Sequence, residues 1–275
     1  MYEAYYGLKE KPFSIQPDPD FLFMSKRHRL AYTMLEYAIK NHVGFSVICG
    51  EIGSGKTTLV RKLLAAFDKT VTIGLVYNTH AEMTDLLEWI MLAFDQPYQA
   101  ASPVERFARF QQFLLAEYAA RRRVVLVVDE AQNLSPAALE SLRMLSNINA
   151  DKDQLLQVIL VGQPQLQAML NRPELHQFAQ RVGVDFFIPP LQPAEVAMYV
   201  RHRLKVAGRE QDLFTEGALQ MIAQASKGVP RSINTLCDMV LVYGYSAEAH
   251  VIGTDLVDEV LQDRREFGIL RGEPA

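Results

Sequence analysis

Cysteine is nearly absent, with two in 275 residues, Cys49 and Cys237, each set among apolar neighbours. That scarcity excludes a disulfide framework and a cysteine-ligated metal centre; both thiols read as small core residues of a reducing compartment. No apolar run reaches the ~18 residues a membrane-spanning helix needs, and Met1 to Glu10 lacks the apolar stretch of a secretory leader. Neither charge sign is in large excess, since 28 basic and 32 acidic residues leave a net charge of only −4. Such a balance gives no global pull toward nucleic acid or an anionic membrane, although it leaves room for a local basic patch. There is no internal repeat and no low-complexity stretch. The expectation is a soluble cytoplasmic protein without direct membrane insertion, whose recruitment to an inner membrane would need a partner.

What is present is enough apolar residue, 49 %, to build one large core or two unequal ones. Residues Tyr5, Tyr6, Leu8, Pro12 and Phe13 form an aromatic lead-in, and Pro17 and Pro19 interrupt any helix there. A helix is expected over 25–39, with Leu30, Met34, Leu35 and Ala38 on one face. Short β-branched runs then alternate with helical segments. The runs at 45–49, 71–77, 124–128, 157–161 and 184–188 show no clear polar alternation, which predicts strands buried on both faces of a parallel sheet. Helices are expected at 57–67, 82–94, 103–120 and 136–149, the last opened by Ser135 as N-cap and Pro136 in the first turn. After Pro189-Pro190 the strand-like runs stop, and helices are expected at 194–206, 215–226, 231–246 and 254–264. The sequence therefore predicts a nucleotide-binding domain over 1–190, a helical domain over 191–265 and a flexible tail over 266–275.

Chemistry concentrates first at Gly50-Glu51-Ile52-Gly53-Ser54-Gly55-Lys56-Thr57, which fits G-x-x-x-x-G-K-[ST] at every fixed position. It lies between a predicted strand and a predicted helix whose early residues include Thr58. Glycines let backbone N–H groups turn inward around phosphate, and the following helix aims its positive end at the same place. Lys56 would reach the β- and γ-phosphates of a nucleotide, and the Thr57 hydroxyl would ligate magnesium. A second motif, Val124 to Val128 followed by Asp129-Glu130, ends an apolar strand in two carboxylates, where open α/β sheets deliver ligand-contacting groups. Asp129 would support magnesium, and Glu130 would polarise the water that attacks the γ-phosphate. Gln163, just past the run 157–161, is a candidate to hold that water or the phosphate. Arg181 and Arg231 are candidates to neutralise charge on the γ-phosphate with a planar fork that bonds two oxygens.

In this order the motifs resemble those of AAA+ ATPases. The resemblance implies an αβα sandwich with a parallel five-stranded sheet, a small all-α lid, ATP/ADP and Mg2+. Walker A falls on Gly50–Thr57 and Walker B on Val124–Glu130, with sensor 1 on Gln163, the arginine finger on Arg181 and sensor 2 on Arg231. The residues Tyr5-Tyr6-Gly7-Leu8-Lys9-Glu10-Lys11-Pro12-Phe13, Pro17-Asp18-Pro19, Asp129-Glu130-Ala131-Gln132-Asn133-Leu134 and Gly162-Gln163-Pro164 narrow it to the ExeA/GspA-like group of the general secretion pathway and exopolysaccharide or exosortase loci. In that group the N-terminal segment lies beside the adenine, which makes Pro12 and Phe13 candidates for that wall. Secretion ATPases of this type continue into a membrane helix and a peptidoglycan-binding domain. This chain shows neither, so direct cell-wall binding is not expected of it.

The resemblance implies ATP-dependent homo-oligomers, as rings or filaments, and a protein partner in secretion or surface assembly. An alternative is a DNA-binding transposition regulator of the TniB/TnsC type, for which Lys26-Arg27-His28-Arg29 and Arg121-Arg122-Arg123 are the dense basic clusters. A third reading is a nucleotide switch that hydrolyses very slowly; Glu130 argues against a permanently inactive binder.

Overall fold

A computed structural model describes residues 1–67, 70–77, 85–99, 102–150 and 153–268. It divides into two compact units, one comprising Lys26–Glu51 and Lys56–Ile188, the other Met1–Ser25, Ile52–Gly55 and the chain from Pro189 onward.

The first unit is built on a five-stranded sheet: β1 (Phe45–Gly50), β2 (Val71–Val76), β3 (Arg123–Val128), β4 (Leu156–Gly162) and β5 (Val182–Ile188). All pairings are parallel, and the order across the sheet is β2-β3-β4-β1-β5. Its helices are α1 (Lys26–Lys40), α2 (Lys56–Ala65), α3 (Leu86–Ala93), α4 (Pro103–Ala119), α5 (Pro136–Leu145), α6 (Pro164–Leu170) and α7 (His176–Ala179). Alternate strand residues such as Val47, Leu126, Val128, Val158 and Leu160 share one core with Ile90 of α3, Phe110 and Leu114 of α4, Leu142 of α5 and Leu166 of α6. Gln157 points to the other face, where its amide donates to Ala38 O of α1 at 2.9 Å. There α1 packs with α2. The result is the expected helix–sheet–helix sandwich.

The three central strands are buried almost throughout. The edge strands β2 and β5 are not; β5 exposes Gly183, Asp185 and Phe187 on alternate positions. A strand with one neighbour keeps a partly open face, so the expectation of burial on both faces holds only where strands lie on either side.

Helix starts follow local chemistry. Ser102 and Glu105 form a capping box at α4, Ser135 caps α5 ahead of Pro136, and Asp85 accepts from Leu87 N at α3. Two expected boundaries move by four residues. The helix expected over 82–94 starts at Leu86, residues 82–84 lying outside the described ones. The helix expected over 136–149 ends at Leu145, where Ser146 Oγ donates back to Arg143 O at 2.7 Å; Asn149–Ala150 then pair antiparallel with Asp153–Gln154.

The second unit contains α8 (Pro193–Val206), α9 (Glu216–Ser226), α10 (Pro230–Ser246) and α11 (Thr254–Glu266). Tyr2, Tyr6, Phe13 and Phe21 are buried among Val196, Leu204, Leu219, Ile233 and Val240. Here the structure departs from the sequence reading: residues 1–25 group with the helices, not with the sheet, because their aromatic rings complete the helical core. Residues 269–275 of the expected tail lie outside the described ones. Both cysteines are free and buried. Among the described residues, no helix is long and apolar enough to cross a membrane.

Candidate functional site

Strand β1 ends at Gly50 and α2 begins at Lys56, so the glycine motif is the loop between them. Gly53 and Gly55 adopt φ of 79° and 92°, a left-handed geometry that L side chains resist. Ser54 and Lys56 are buried, whereas Glu51 and Ile52 are exposed; Thr57 and Thr58 are half-buried in the first turn of α2. The Lys56 ammonium folds back along the loop, donating to Gly50 O and Glu51 O at 2.8 Å each. Burial pushes its pKa below the ordinary lysine value, and the Glu130 and Asp129 carboxylates push it back up.

The acidic pair arrives from the end of β3. Asp129 Oδ2 accepts from Thr57 Oγ1 at 2.8 Å, and Asp129 Oδ1 accepts from Glu130 N at 2.9 Å. Two motifs 72 residues apart thus meet through a hydroxyl and a carboxylate. Among the described residues, no group of three or more His, Cys, Asp or Glu could hold a metal by itself. A pair of hard oxygen donors with no protein cage suits magnesium, which keeps waters and takes phosphate oxygens as further ligands.

Glu130 stands in the left-handed region, with φ 52° and ψ 37°. Such backbone strain in a non-glycine residue persists only where its surroundings hold it. Here two amides do so: Gln132 Nε2 donates to Glu130 Oε2 at 2.6 Å, and Gln163 Nε2 donates to the same oxygen at 3.0 Å. Gln132 Oε1 also accepts from the Gln163 backbone N–H at 3.0 Å, closing a ring of two side chains and one residue that takes part through both its amide side chain and its backbone. Strands β3 and β4 are parallel neighbours, so their C-terminal ends deliver Glu130 and Gln163 side by side. The sequence reading gave Gln132 no role. Its signal was the Asp-Glu-Ala-Gln run, which a single 3-10 turn over Ala131–Asn133 folds back onto Glu130.

Arg181 is exposed and sits immediately before β5, donating to Asn147 Oδ1 at 2.5 Å and Ser146 Oγ at 3.3 Å. Gly50, at the other end of β1, pairs in register with Ile188. At roughly 3.3 Å per residue, Arg181 therefore lies on the order of 20 Å from the glycine loop of its own chain. Arg231 is exposed at the start of α10 in the helical unit. Its backbone N–H donates to Gly53 O at 3.2 Å, and its guanidinium has no hydrogen bond or ion pair with the described residues.

Pro12 and Phe13 differ from the expectation. Phe13 is 1 % exposed and packs edge-to-face against Phe214, with centroids 6.1 Å apart. Pro12 is buried, and its carbonyl accepts from Arg203 Nε at 2.5 Å. The Phe13 ring is consumed by the helical core and has no open face for a flat base.

The two basic clusters differ: Lys26, Arg27 and Arg29 are exposed, whereas the second is partly neutralised. Arg122 is paired with Glu117, which Thr72 Oγ1 also bonds, and His28 is buried.

The AAA domain family matches residues 39–170. The chain is 43 % identical over 253 residues to General secretion pathway protein A of Aeromonas hydrophila, covering 92 % of this chain and 46 % of that protein. It thus spans about half the length of the curated relative it matches. Among solved structures, the Aeropyrum pernix ORC2 protein superposes with a TM-score of 0.67 at 17 % identity, covering 93 % of this chain and 72 % of that one. Cdc6p from Pyrobaculum aerophilum gives 0.64 at 19 %, covering 86 % and 68 %. The Thermotoga maritima RuvB branch migration motor gives 0.52 at 16 %, covering 86 % and 68 %. At these identities the structural matches speak for the fold alone.

Proposed function

Because this chain is a GspA-like member of the AAA+ family, we propose that it binds ATP with magnesium at the ends of β1 and β3 and hydrolyses it to ADP and phosphate. The observation that carries this reading is the Thr57–Asp129 contact beside Lys56, a hydroxyl, a carboxylate and an ammonium gathered behind a glycine loop. Glycine-loop amides and the first turn of α2 would take the phosphates, and Lys56 would turn from the Gly50 and Glu51 carbonyls to the β- and γ-oxygens. Magnesium, held by Thr57 with Asp129 in support, would supply neutralisation of charge between those phosphates.

Glu130 would orient and polarise the attacking water as general base. Gln132 and Gln163 hold its Oε2 in place, which leaves the carboxylate's direction fixed before substrate arrives. Arg231 would reach the γ-phosphate as a lid residue. Arg181 would act on the site of a second copy, since its own site is a sheet-length away. That role requires an oligomer, and the A. hydrophila relative's name suggests a secretion partner for it. The DNA-binding alternative has less support, because Arg122 is already neutralised by Glu117.

The test is binding of a fluorescent ATP analogue with and without magnesium, followed by phosphate release and by light scattering for mass. Magnesium-dependent uptake, turnover and a mass increase with ATP are expected. Well-folded protein that takes up no adenine nucleotide would overturn the reading.

A further inference from the structure

A buried arginine ordinarily needs a carboxylate, since an unpaired charge in the interior is costly. Arg203 of α8 is 6 % exposed and forms no ion pair among the described residues. Its fork is spent instead on the backbone of the N-terminal segment. Nε donates to Pro12 O at 2.5 Å, Nη2 to Ser14 O at 3.1 Å and Nη1 to Tyr199 OH at 3.3 Å. The guanidinium also lies 4.6 Å from the centroid of the Phe21 ring, where the π-face offers partial negative charge.

Asn234 of α10 completes the arrangement. It is 5 % exposed, donates from Nδ2 to Ser14 O at 3.1 Å and accepts at Oδ1 from Tyr199 OH at 2.7 Å. Ser14 O is therefore shared by donors from two different helices. Asn234 stands three residues after Arg231, a spacing that places both on one side of α10. At the head of that helix, Arg231 N donates to Gly53 O, and a Cβ built on Gly53 would come within 2.4 Å of Arg231 Cβ. Every member of this chain of contacts belongs to the helical unit.

We propose that Arg203, Tyr199 and Asn234 form a clamp on the Pro12–Ser14 backbone, and that through Asn234 this segment positions Arg231 and Gly53. The lead-in then acts on the nucleotide indirectly, by holding α10, and not as a wall against the base. The consequence for nucleotide affinity rests on the ATP-binding reading above; the mechanical coupling does not. Arg203 and Asn234 are positioning residues. Pro12 and Ser14 take part through their carbonyls, so the clamp's hydrogen bonds do not use their side chains.

The experiment compares wild type with Arg203→Met, Arg203→Lys and Asn234→Ala, at a temperature well below each variant's unfolding midpoint. Amide hydrogen exchange is read at Phe13–Ile15 and at Gly53–Ser54, and affinity is read with fluorescent ATP and magnesium. Arg203→Met should speed exchange at both segments and weaken ATP binding by about tenfold, the scale of one or two lost hydrogen bonds. Arg203→Lys, which can still donate to one carbonyl, should recover part of both. Asn234→Ala should loosen Gly53–Ser54 as Arg203→Met does, and it keeps the test alive if that variant fails to fold. Faster exchange confined to Phe13–Ile15, with ATP affinity unchanged, would reduce the cluster to a plain anchor and overturn the proposal. Unchanged exchange at Phe13–Ile15 would remove the clamp altogether. If wild type binds no ATP, the ATP-binding reading fails by itself, and exchange at Gly53–Ser54 alone decides the coupling.

Discussion

Replacing Gly53 by alanine separates backbone strain from steric contact in the glycine loop. Gly53 has φ +79°, so any Cβ there carries a left-handed penalty of about 1–2 kcal/mol. Gly7 has φ +66° and nothing within 4 Å of a built Cβ, so Gly7→Ala carries the same penalty alone. At Gly53 the added methyl would sit 2.4 Å from Arg231 Cβ and must open to at least 3.4 Å, a shift of 1.0 Å. The Arg231 N to Gly53 O bond, already 3.2 Å long, does not survive that movement. Its loss adds about 1 kcal/mol. Urea denaturation should therefore place Gly53→Ala about 1 kcal/mol below Gly7→Ala, although both lie in the same unit. ATP affinity, by fluorescence titration, should fall for Gly53→Ala and stay at the wild-type value for Gly7→Ala. Equal stability losses together with equal ATP affinities would refute both the contact and its place beside the nucleotide.

Lys56→Ala should weaken ATP binding by at least about a hundredfold in the same titration, as loss of a buried charged hydrogen-bonding group implies. Glu130→Gln should bind ATP as wild type does while phosphate release falls about 10²–10⁴-fold, the range for a lost general base; undiminished turnover would remove Glu130 from that role. Gln132→Ala should lower turnover with little change in ATP affinity, because its hydrogen bonds go to Glu130 and Gln163 and none to the glycine loop. If Arg181 serves a neighbouring copy, mixing Arg181→Ala with Lys56→Ala subunits should restore part of the hydrolysis that each lacks alone, and failure in mixed oligomers shown to form would end that assignment. The Arg122 bond holds the Glu117 carboxyl below its ordinary value of 4.5, so its stabilisation is fully present above that pH and is lost as pH falls through the lowered value. Glu117→Gln should accordingly flatten the acid-side decline of the urea midpoint below pH 4.5.

Much of the fold was legible because its signals are local. Central strands β1, β3 and β4 announce themselves as unbroken apolar runs, and Ser135-Pro136 marks a helix start from two adjacent residues. The end of α5 was not legible, since nothing in the apolar pattern distinguishes Leu145 from Asn149 until Ser146 turns back on Arg143. Gln132 was overlooked for a related reason. Its amide matters only because a 3-10 turn and a neighbouring strand bring Glu130 and Gln163 to it. Phe13 misled in the opposite sense, as an aromatic ring beside a proline suits a base and a core equally well.

The amino-acid sequence by itself determined the glycine loop, the acidic pair at a strand end, the β–α alternation and the change of pattern at Pro189-Pro190. Each is written in neighbouring residues and needs only backbone geometry and side-chain periodicity to decode. Only the tertiary structure decided that Thr57 meets Asp129, that two amides hold Glu130, that Arg181 stands a sheet-length from its own loop, and that the first 25 residues belong to the helical core. Those facts depend on which strands become neighbours and which aromatic rings complete which core, and such long-range choices are made by packing, not by any stretch of chain alone.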